Sequence, residues 1–341
     1  MISTGSVRKK NTHNTLLKNL LDACGAAMSF FCVGFAFAFG GDSTATGTTV
    51  VGTENFFGTG DIDLAFYFYQ YTFASAAVTI TAGALAERCQ MAAYLCYSFF
   101  LSGFVYPVAV HQIWSVAGFL SYTNPKPLFG IGMIDFAGSS LVHFIGGTTA
   151  LISTYLLGSR RGRFYDLKTG KPLEVPKAMP GHSISLQMLG AFILWFGWFG
   201  FNAGGALMLS QVQYQAEIAA TCVINTFLGS SSGCLASMMM RLMLIKRSQG
   251  NFVFDVIAAM NGALCGAAAV GLLSLHLSLL DLSQLTLDVP HCLTHCTFIL
   301  ASFAVDYSRL CNLTTLGSHN CGPSIRSFVP FQFRLADLAQ D

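Results

Sequence analysis

Seven stretches of this chain stay apolar over roughly 20 residues or more, the length an α-helix needs to cross ~30 Å of hydrocarbon. They run over residues 20–40, 64–86, 91–121, 131–158, 184–209, 218–240 and 256–280. The bilayer core holds no water to serve an open backbone, so a chain of this kind folds as a bundle of membrane-spanning helices. Hydrophobic residues make up 53% of the chain and charged residues 10%, with a mean hydropathy of +0.56. Soluble domains are roughly a quarter charged, so the fold class expected here is all-α and polytopic, with the lipid bilayer as solvent. The net charge of +2 is the remainder of 18 basic and 16 acidic residues and gives no footing for a nucleic-acid partner.

What carries information is where the basic residues sit. The start of the chain has Arg8, Lys9, Lys10 and Lys18, whereas the next connection, 41–63, has none and is acidic. Arg88 follows in a tight turn, then a loop with Lys126 alone, then one with Arg160, Arg161, Arg163, Lys168, Lys171 and Lys177. After a loop without any come Arg241, Lys246 and Arg247. This alternation puts the N-terminus in the cytoplasm and the Asp135 end of the fourth span outside. An odd number of spans then leaves the tail outside. The domain reading is a cytoplasmic basic arm over 1–19, a transmembrane domain over 20–280 and a divergent tail over 281–341. The third and fourth stretches exceed what a crossing needs, which calls for tilt or for interfacial extensions ending at Tyr122 and at Pro125 and Pro127. The rival reading of the basic arm and first apolar run as a cleaved signal peptide lacks a clean polar break and small-residue cleavage site.

Of eleven cysteines, six fall in spans and Cys89 in a turn, where they read as small packing residues. The tail holds His291, Cys292, His295 and Cys296, with His319 and Cys321 downstream, but the spacing fits no common zinc module, so no metal and no cofactor is expected. Asn312 and Thr314 form a glycosylation sequon, usable only if the tail is outside. Glycines are frequent inside the spans, as at Gly229, Gly233, Gly262 and Gly266, and read as points of close helix packing.

Two ionisable groups stand out in the fourth stretch, Asp135 near one end and His143 half-way along. On a continuous helix His143 would lie about 12 Å deeper, and eight residues turn through about 800°, leaving the side chains within roughly 80° of one another. Both would then face one cavity. A neutral imidazole at mid-membrane both donates and accepts a hydrogen bond; the alternative is a histidine bonded to Ser or Thr on a neighbouring helix. For Asp135 the alternatives are a carboxylate that favours a cation outside and a helix cap or loop anchor. Phe73, Trp114 and Phe201 lie on the outer side of His143. A Trp face there attracts a small cation by ~0.5–2 kcal/mol, while an interfacial aromatic belt explains the same residues without a ligand.

Four runs in order resemble the ammonium transporter (Amt/Mep/Rh) family. They are Phe73 and Ala74 through Gly83 to Glu87 and Arg88; Tyr106 and Pro107 to His111 and Trp114; Asp135 to Gly138, Val142 and His143; and Trp198, Phe201, Asn202 and Gly204. The resemblance covers roughly 8–271. It implies that Trp114 and Phe73 form an outer ammonium recruitment site, that Phe73 and Phe201 stack as a gate, that Asp135 holds that site, and that His143 is the first of a pair of pore histidines. It further implies an eleven-span bundle with an inverted repeat, assembled as a homotrimer or a heterotrimer with related subunits, in the plasma membrane.

The chain departs from the family in three ways. The family's first span and its last spans, one with the second pore histidine, are expected to be lacking, and His276 and His291 do not replace it. Many members carry a recruitment-site Ser where this chain has Gly205, which removes a hydroxyl acceptor. The expected function is therefore ammonium transport, with ammonia passing a hydrophobic histidine-containing pore; the alternative is an incomplete, non-transporting paralogue acting as a regulatory or sensing subunit. The spans offer too few ionisable groups at one depth for an enzyme.

Overall fold

The computed structural model describes residues 1–42, 47–130, 132–209, 215–250 and 252–273. The tail with its Cys and His residues and the Asn312 sequon, and the end of the seventh stretch with His276, lie outside the described residues. Among the described residues the chain is helical, with three isolated β-bridges in the loops. We number the helices α1 Ile2–Ser6, α2 Lys9–Phe39, α3 Leu64–Leu85, α4 Met91–Trp114, α5 Ser139–Leu157, α6 Ile184–Leu209, α7 Gln215–Gln249 and α8 Val256–Leu273. Within the described residues, each of the seven apolar stretches contains all or most of one of α2 to α8. By length and composition α2, α4, α5, α6 and α7 are apolar enough to cross a membrane. α3 is 22 residues long but dilutes its apolar content with Gln70, Thr72, Thr79 and Thr81.

Four boundaries differ most from the sequence expectation: α2 already begins at Lys9, within the expected basic arm, α7 runs on to Gln249, and the other two lie between the third and fourth stretches. The third stretch leaves helical geometry at Ser115 (ψ 146°), and the fourth begins at Ser139, after Gly138 in a left-handed conformation (φ 79°). The residues between are folded back by backbone hydrogen bonds such as Leu120 N–H to Gln112 O (3.0 Å) and Met133 N–H to Leu120 O (2.7 Å). The extra length is thus a structured loop.

Two helix starts, those of α3 and α8, carry an aspartate that accepts from the first free amides. Asp63 Oδ1 accepts from the N–H of Ala65 (2.8 Å) and Phe66 (3.2 Å) at the head of α3, and Asp255 Oδ1 does the same for Ile257 and Ala258 at α8. Wider π-helical turns interrupt α2 at Phe30–Gly34 and α4 at Leu101–Val105, and open α5 at Ser139–Phe144. The one in α4 directly precedes Pro107, whose ring would clash with a carbonyl one α-turn back; the wide turn removes that clash and the missing donor together.

The helices form two packed groups. In the first, α2, α3, α4 and α5 close on a core of Phe30, Phe35, Phe73, Tyr106, Leu141 and Val142. In the second, α7 lies along α8 with Gly229 and Gly233 against Gly262 and Gly266; a Cβ on Gly262 would run into the Gly233 carbonyl, so the close approach depends on the glycines. α1 rides on α6, with Ile2 packed on Ala191 and against Met260 and Leu264 of α8. The groups meet where Phe136 and Ala137 pack on Ala206 and Cys222, and the Ala137 N–H bonds the Gly271 carbonyl at 2.9 Å.

At the basic end, the turn between α3 and α4 carries Glu87 with φ +62°, a conformation most residues avoid. A carboxylate with four donors compensates. Glu87 Oε1 accepts from Arg8 N–H (3.2 Å), Arg8 Nε (3.0 Å) and Asn11 Nδ2 (2.5 Å), and Oε2 from Arg160 at 3.1 Å. Arg160 and Glu87 side chains are 3% and 1% exposed, so this is a buried ion pair joining the chain start, the turn and the loop after α5. Burial alone would raise the Glu87 carboxyl, but the bonds from Asn11 and Arg8 and the charge of Arg160 outweigh it and hold the group below the ordinary carboxylate range. The stabilisation this provides is full above the ordinary glutamate titration near pH ~4.3 and is lost as pH falls through the lower folded value. Glu87→Gln leaves Arg160 buried without its countercharge, and we expect a loss of about 3 kcal/mol, read as a lower thermal midpoint in detergent at neutral pH. The deficit should shrink as the wild-type carboxyl is titrated away in acid; an unchanged midpoint at neutral pH would remove the node from the account of stability.

Candidate functional site

The residues singled out from the sequence converge on one column. Phe73 is fully buried on α3, with Trp114 from the end of α4 edge-on to it at 5.5 Å between ring centroids. On its other side Phe201 of α6 lies at 4.2 Å, tilted by 53°. Phe201 in turn approaches the His143 ring at 5.8 Å. Trp114, Phe73, Phe201 and His143 therefore form a continuous aromatic series drawn from four different helices.

Asp135 sits beside this series but not where helical spacing put it. Gly138 breaks the path from Asp135 to α5, so Asp135 is not on the helix that carries His143, and the angle deduced from a continuous helix does not apply. Its carboxylate folds back on the start of α5. Oδ1 accepts from Ser139 N–H (2.9 Å), and Oδ2 from Ser140 N–H (3.0 Å), Ser140 Oγ (2.7 Å) and Leu141 N–H (2.9 Å). With 3% exposure it is a buried cap, which agrees with the cap among the two readings open for it. Asp135 also reaches the column through its backbone, whose carbonyl accepts from the Trp114 indole Nε1 at 2.6 Å.

His143 is 8% exposed and stacks on Trp198 at 5.3 Å with 16° between ring planes. Its Nε2 has no hydrogen-bond partner among the described residues, so the reading of a histidine bonded to Ser or Thr at that nitrogen does not hold. A buried imidazole nitrogen with no protein partner is available to a small polar guest. Above the column, on the side opposite the basic loops, opens a cavity of about 550 Å³ lined by Trp114, Phe35, Phe39, Phe66 and Tyr122 together with Asp42, Asp61 and Asp63. Burial pushes the Asp42 carboxyl above its usual range, opposed by the bond it accepts from Ser115 Oγ at 2.5 Å. Gly205 lies against the Phe136 carbonyl, which a side chain at that position would displace.

Sequence reasoning did not identify three parts of the neighbourhood. Trp198 lies three residues before Phe201, hence on the same face of α6, and this spacing was the available signal for its stack on His143. Tyr69, one turn before Phe73, packs edge-on to it at 4.7 Å and donates from its hydroxyl to the Phe201 carbonyl at 3.3 Å. Asp22 is fully buried between α2 and α4 and accepts from the Tyr94 hydroxyl, with Lys18 Nζ over the Tyr94 ring at 4.8 Å. A lone acid inside the first apolar stretch was the signal there.

The fold and this column define a multi-pass helical membrane protein with an aromatic series leading from an acidic cavity to a buried histidine. The sequence profile described as the Ammonium Transporter Family matches residues 1–274. The chain belongs to that family. Ammonium transporter 1 member 2 of Oryza sativa subsp. japonica is 41% identical over 283 residues, covering 79% of this chain and 54% of the rice protein. Ammonium transporter 1 member 3 of Solanum lycopersicum is 39% identical over 277 residues, covering 79% of this chain and 57% of that protein. The chain thus spans about half the length of the curated relatives it matches. Among solved structures, one titled "Sensor Amt Protein" superposes with a TM-score of 0.69 at 27% identity, over 89% of this chain and 73% of that one. Candida albicans Mep2, at 24% identity, shares the fold with a TM-score of 0.67 over 88% of this chain and 62% of its own.

Because the Asp135 carboxylate serves four donors at the head of α5, Asp135→Asn replaces an acceptor oxygen with a donor facing amides. We expect a loss of about 1–2 kcal/mol in thermal stability and a displaced Trp114 side chain, read as a changed tryptophan emission spectrum. An unaltered midpoint and spectrum would show that the cap is dispensable.

Proposed function

We propose that this chain provides an ammonium-conducting pathway, taking up ammonium in the acidic aromatic cavity and passing ammonia along the column to His143. The observation that carries this reading is the unbroken ring series Trp114, Phe73, Phe201 and His143, ending at an imidazole nitrogen with no hydrogen-bond partner among the described residues. Trp114 offers a π face and Asp42, Asp61 and Asp63 offer negative charge to an arriving cation. Phe73 and Phe201 exclude water below it, so an intact cation faces a desolvation cost of many kcal/mol. Ammonia does not. Ammonium and potassium are similar in size, and deprotonation at the mouth of a dry passage separates them where an open polar pore would not. His143 then supplies the polar step at mid-membrane. In this reading the basic loops face the cytoplasm, the acidic cavity faces outside, and the chain functions as a homotrimer or heterotrimer in the plasma membrane.

The test joins this chain, after Gly271, to the corresponding spans of the rice relative and measures ammonium uptake and current together, with surface expression and oligomer size as controls. His143→Ala is expected to leave assembly intact and to abolish transport or change its charge coupling. His143→Glu is expected to keep conduction but admit potassium, because a fixed negative charge lowers the energy of any monovalent cation. If both variants move ammonium with unchanged selectivity, His143 is a packing residue. In the same assay, Trp114→Leu should raise the ammonium concentration for half-maximal uptake about fivefold, the equivalent of roughly 1 kcal/mol from a partly solvated cation–π contact. An unchanged concentration dependence at normal surface level would take Trp114 out of recruitment.

A further inference from the structure

Phe73 and Phe201 face each other at 4.2 Å, but one projects from α3 and the other from α6, so the spacing of the rings is only as fixed as the joint between those two helices. Apolar rings attract one another without a directed bond, and small displacements cost little. Tyr69 supplies the direction. It lies one helical turn before Phe73 on α3 and packs edge-on against that ring at 4.7 Å, while its hydroxyl donates to the Phe201 backbone carbonyl at 3.3 Å. A single side chain thus touches one ring of the pair and holds the backbone from which the other projects. α6 is shaped to receive it. Gly204 lies three residues beyond Phe201, and a Cβ there would overlap Tyr69 Cε2 and stand 2.9 Å from the Tyr69 hydroxyl oxygen. Any side chain at 204 therefore pushes the hydroxyl away from its acceptor.

We propose that Tyr69 is the positioning residue of the Phe73 and Phe201 gate, tying α3 to α6 so that the rings stay closed to intact cations, and that Gly204 is glycine because the tie needs the space. Without the hydroxyl bond the Phe201 backbone is free to move off Phe73, and a wider gap admits water and with it a hydrated ion. The consequence for potassium discrimination rests on the proposed pathway. The tie itself is a matter of packing and is measurable without transport.

The test uses the purified full chain in nanodiscs with Trp114→Phe and Trp195→Phe, which leaves Trp198 as the one indole of the chain. Trp198 is stacked on His143, past the gate, and caesium, a quenching cation that does not enter hydrocarbon, reaches it more often when the gate opens. Tyr69→Phe keeps the ring and removes the bond, and it is expected to raise the quenching constant about fivefold, the effect of losing one neutral hydrogen bond. Gly204→Ala should do the same with Tyr69 intact, and the double variant should stay within about twofold of Gly204→Ala, because the bond is already broken there. Tyr71→Phe deletes a hydroxyl bond of the same kind, from α3 to the Ala23 carbonyl of α2 at 3.1 Å rather than to α6, and should leave quenching unchanged. Unchanged quenching in Tyr69→Phe, an equal rise in Tyr71→Phe, or multiplied effects in the double variant would overturn the tie. In the joined protein of the transport assay, Tyr69→Phe should raise potassium current relative to ammonium uptake about fivefold and leave the ammonium concentration for half-maximal uptake within about twofold. A shift in that concentration without potassium current would place Tyr69 in recruitment and overturn the positioning role. If the unsubstituted joined protein moves no ammonium, the proposed function falls, and the quenching result still decides the tie.

Discussion

The carboxylate of Asp135 is the contact on which the column depends. A helix that starts inside a membrane protein has several amides without partners and no water to supply them. Asp135 satisfies the amides of Ser139, Ser140 and Leu141 together with the Ser140 hydroxyl, and this fixes where α5 begins and how its first wide turn is wound. His143 lies in that turn. The backbone carbonyl of the same residue anchors the Trp114 indole, so one residue sets both ends of the aromatic series. Moving the start of α5 by a single residue would rotate His143 by about 100° and take it off the Trp198 stack.

The rest of the bundle answers the same constraint in other places. Between α2 and α4 the fully buried Asp22 is held by Tyr94, and Ser29 and Ser102 share a hydrogen bond at 2.6 Å further along the seam. At the basic end Glu87 gathers donors from the chain start and the loop after α5. Such contacts contribute little to net stability per bond, but breaking one leaves its partner uncompensated in a medium that offers no substitute. They therefore act as registers between helices whose apolar faces alone would allow sliding. The glycine-lined contact of α7 with α8 does this by shape, since backbones that touch fit in few ways.

How much of this was legible in the residues depended on range. Apolar length identified all seven helical stretches, because burial in lipid is a property of a segment and needs no knowledge of neighbours. It failed at 115–121 and 132–138, where residues of a structured loop are apolar enough to pass for helix and Gly138 interrupts the helical path that the Asp135 to His143 angle assumed. The aromatic column was legible through family resemblance, which named Phe73, Trp114, Phe201 and His143. Their mutual distances were not, because they come from four helices whose packing no local pattern encodes. The Trp198 stack and the Tyr69 hydroxyl were missed for the same reason. Asp22 was visible as an acid in an apolar run, yet only its partner on α4 shows that it joins two helices.

The column's arrangement also bears on selectivity under the proposed function. Potassium carries a charge that no protein group can remove, whereas ammonium sheds its charge by giving up a proton. The distinction therefore needs a barrier to charge followed by a group that welcomes a neutral polar molecule, in that order. Phe73 and Phe201, at 4.2 Å, form a barrier with no polar atoms in their side chains. The Nε2 of His143, without a hydrogen-bond partner among the described residues, comes directly after it. Were the histidine placed before the rings, it would help to solvate an intact cation at the entrance and reduce the discrimination. What separates the two ions in this reading is the sequence of environments along the column, and the cap at Asp135 maintains that sequence by fixing the start of α5.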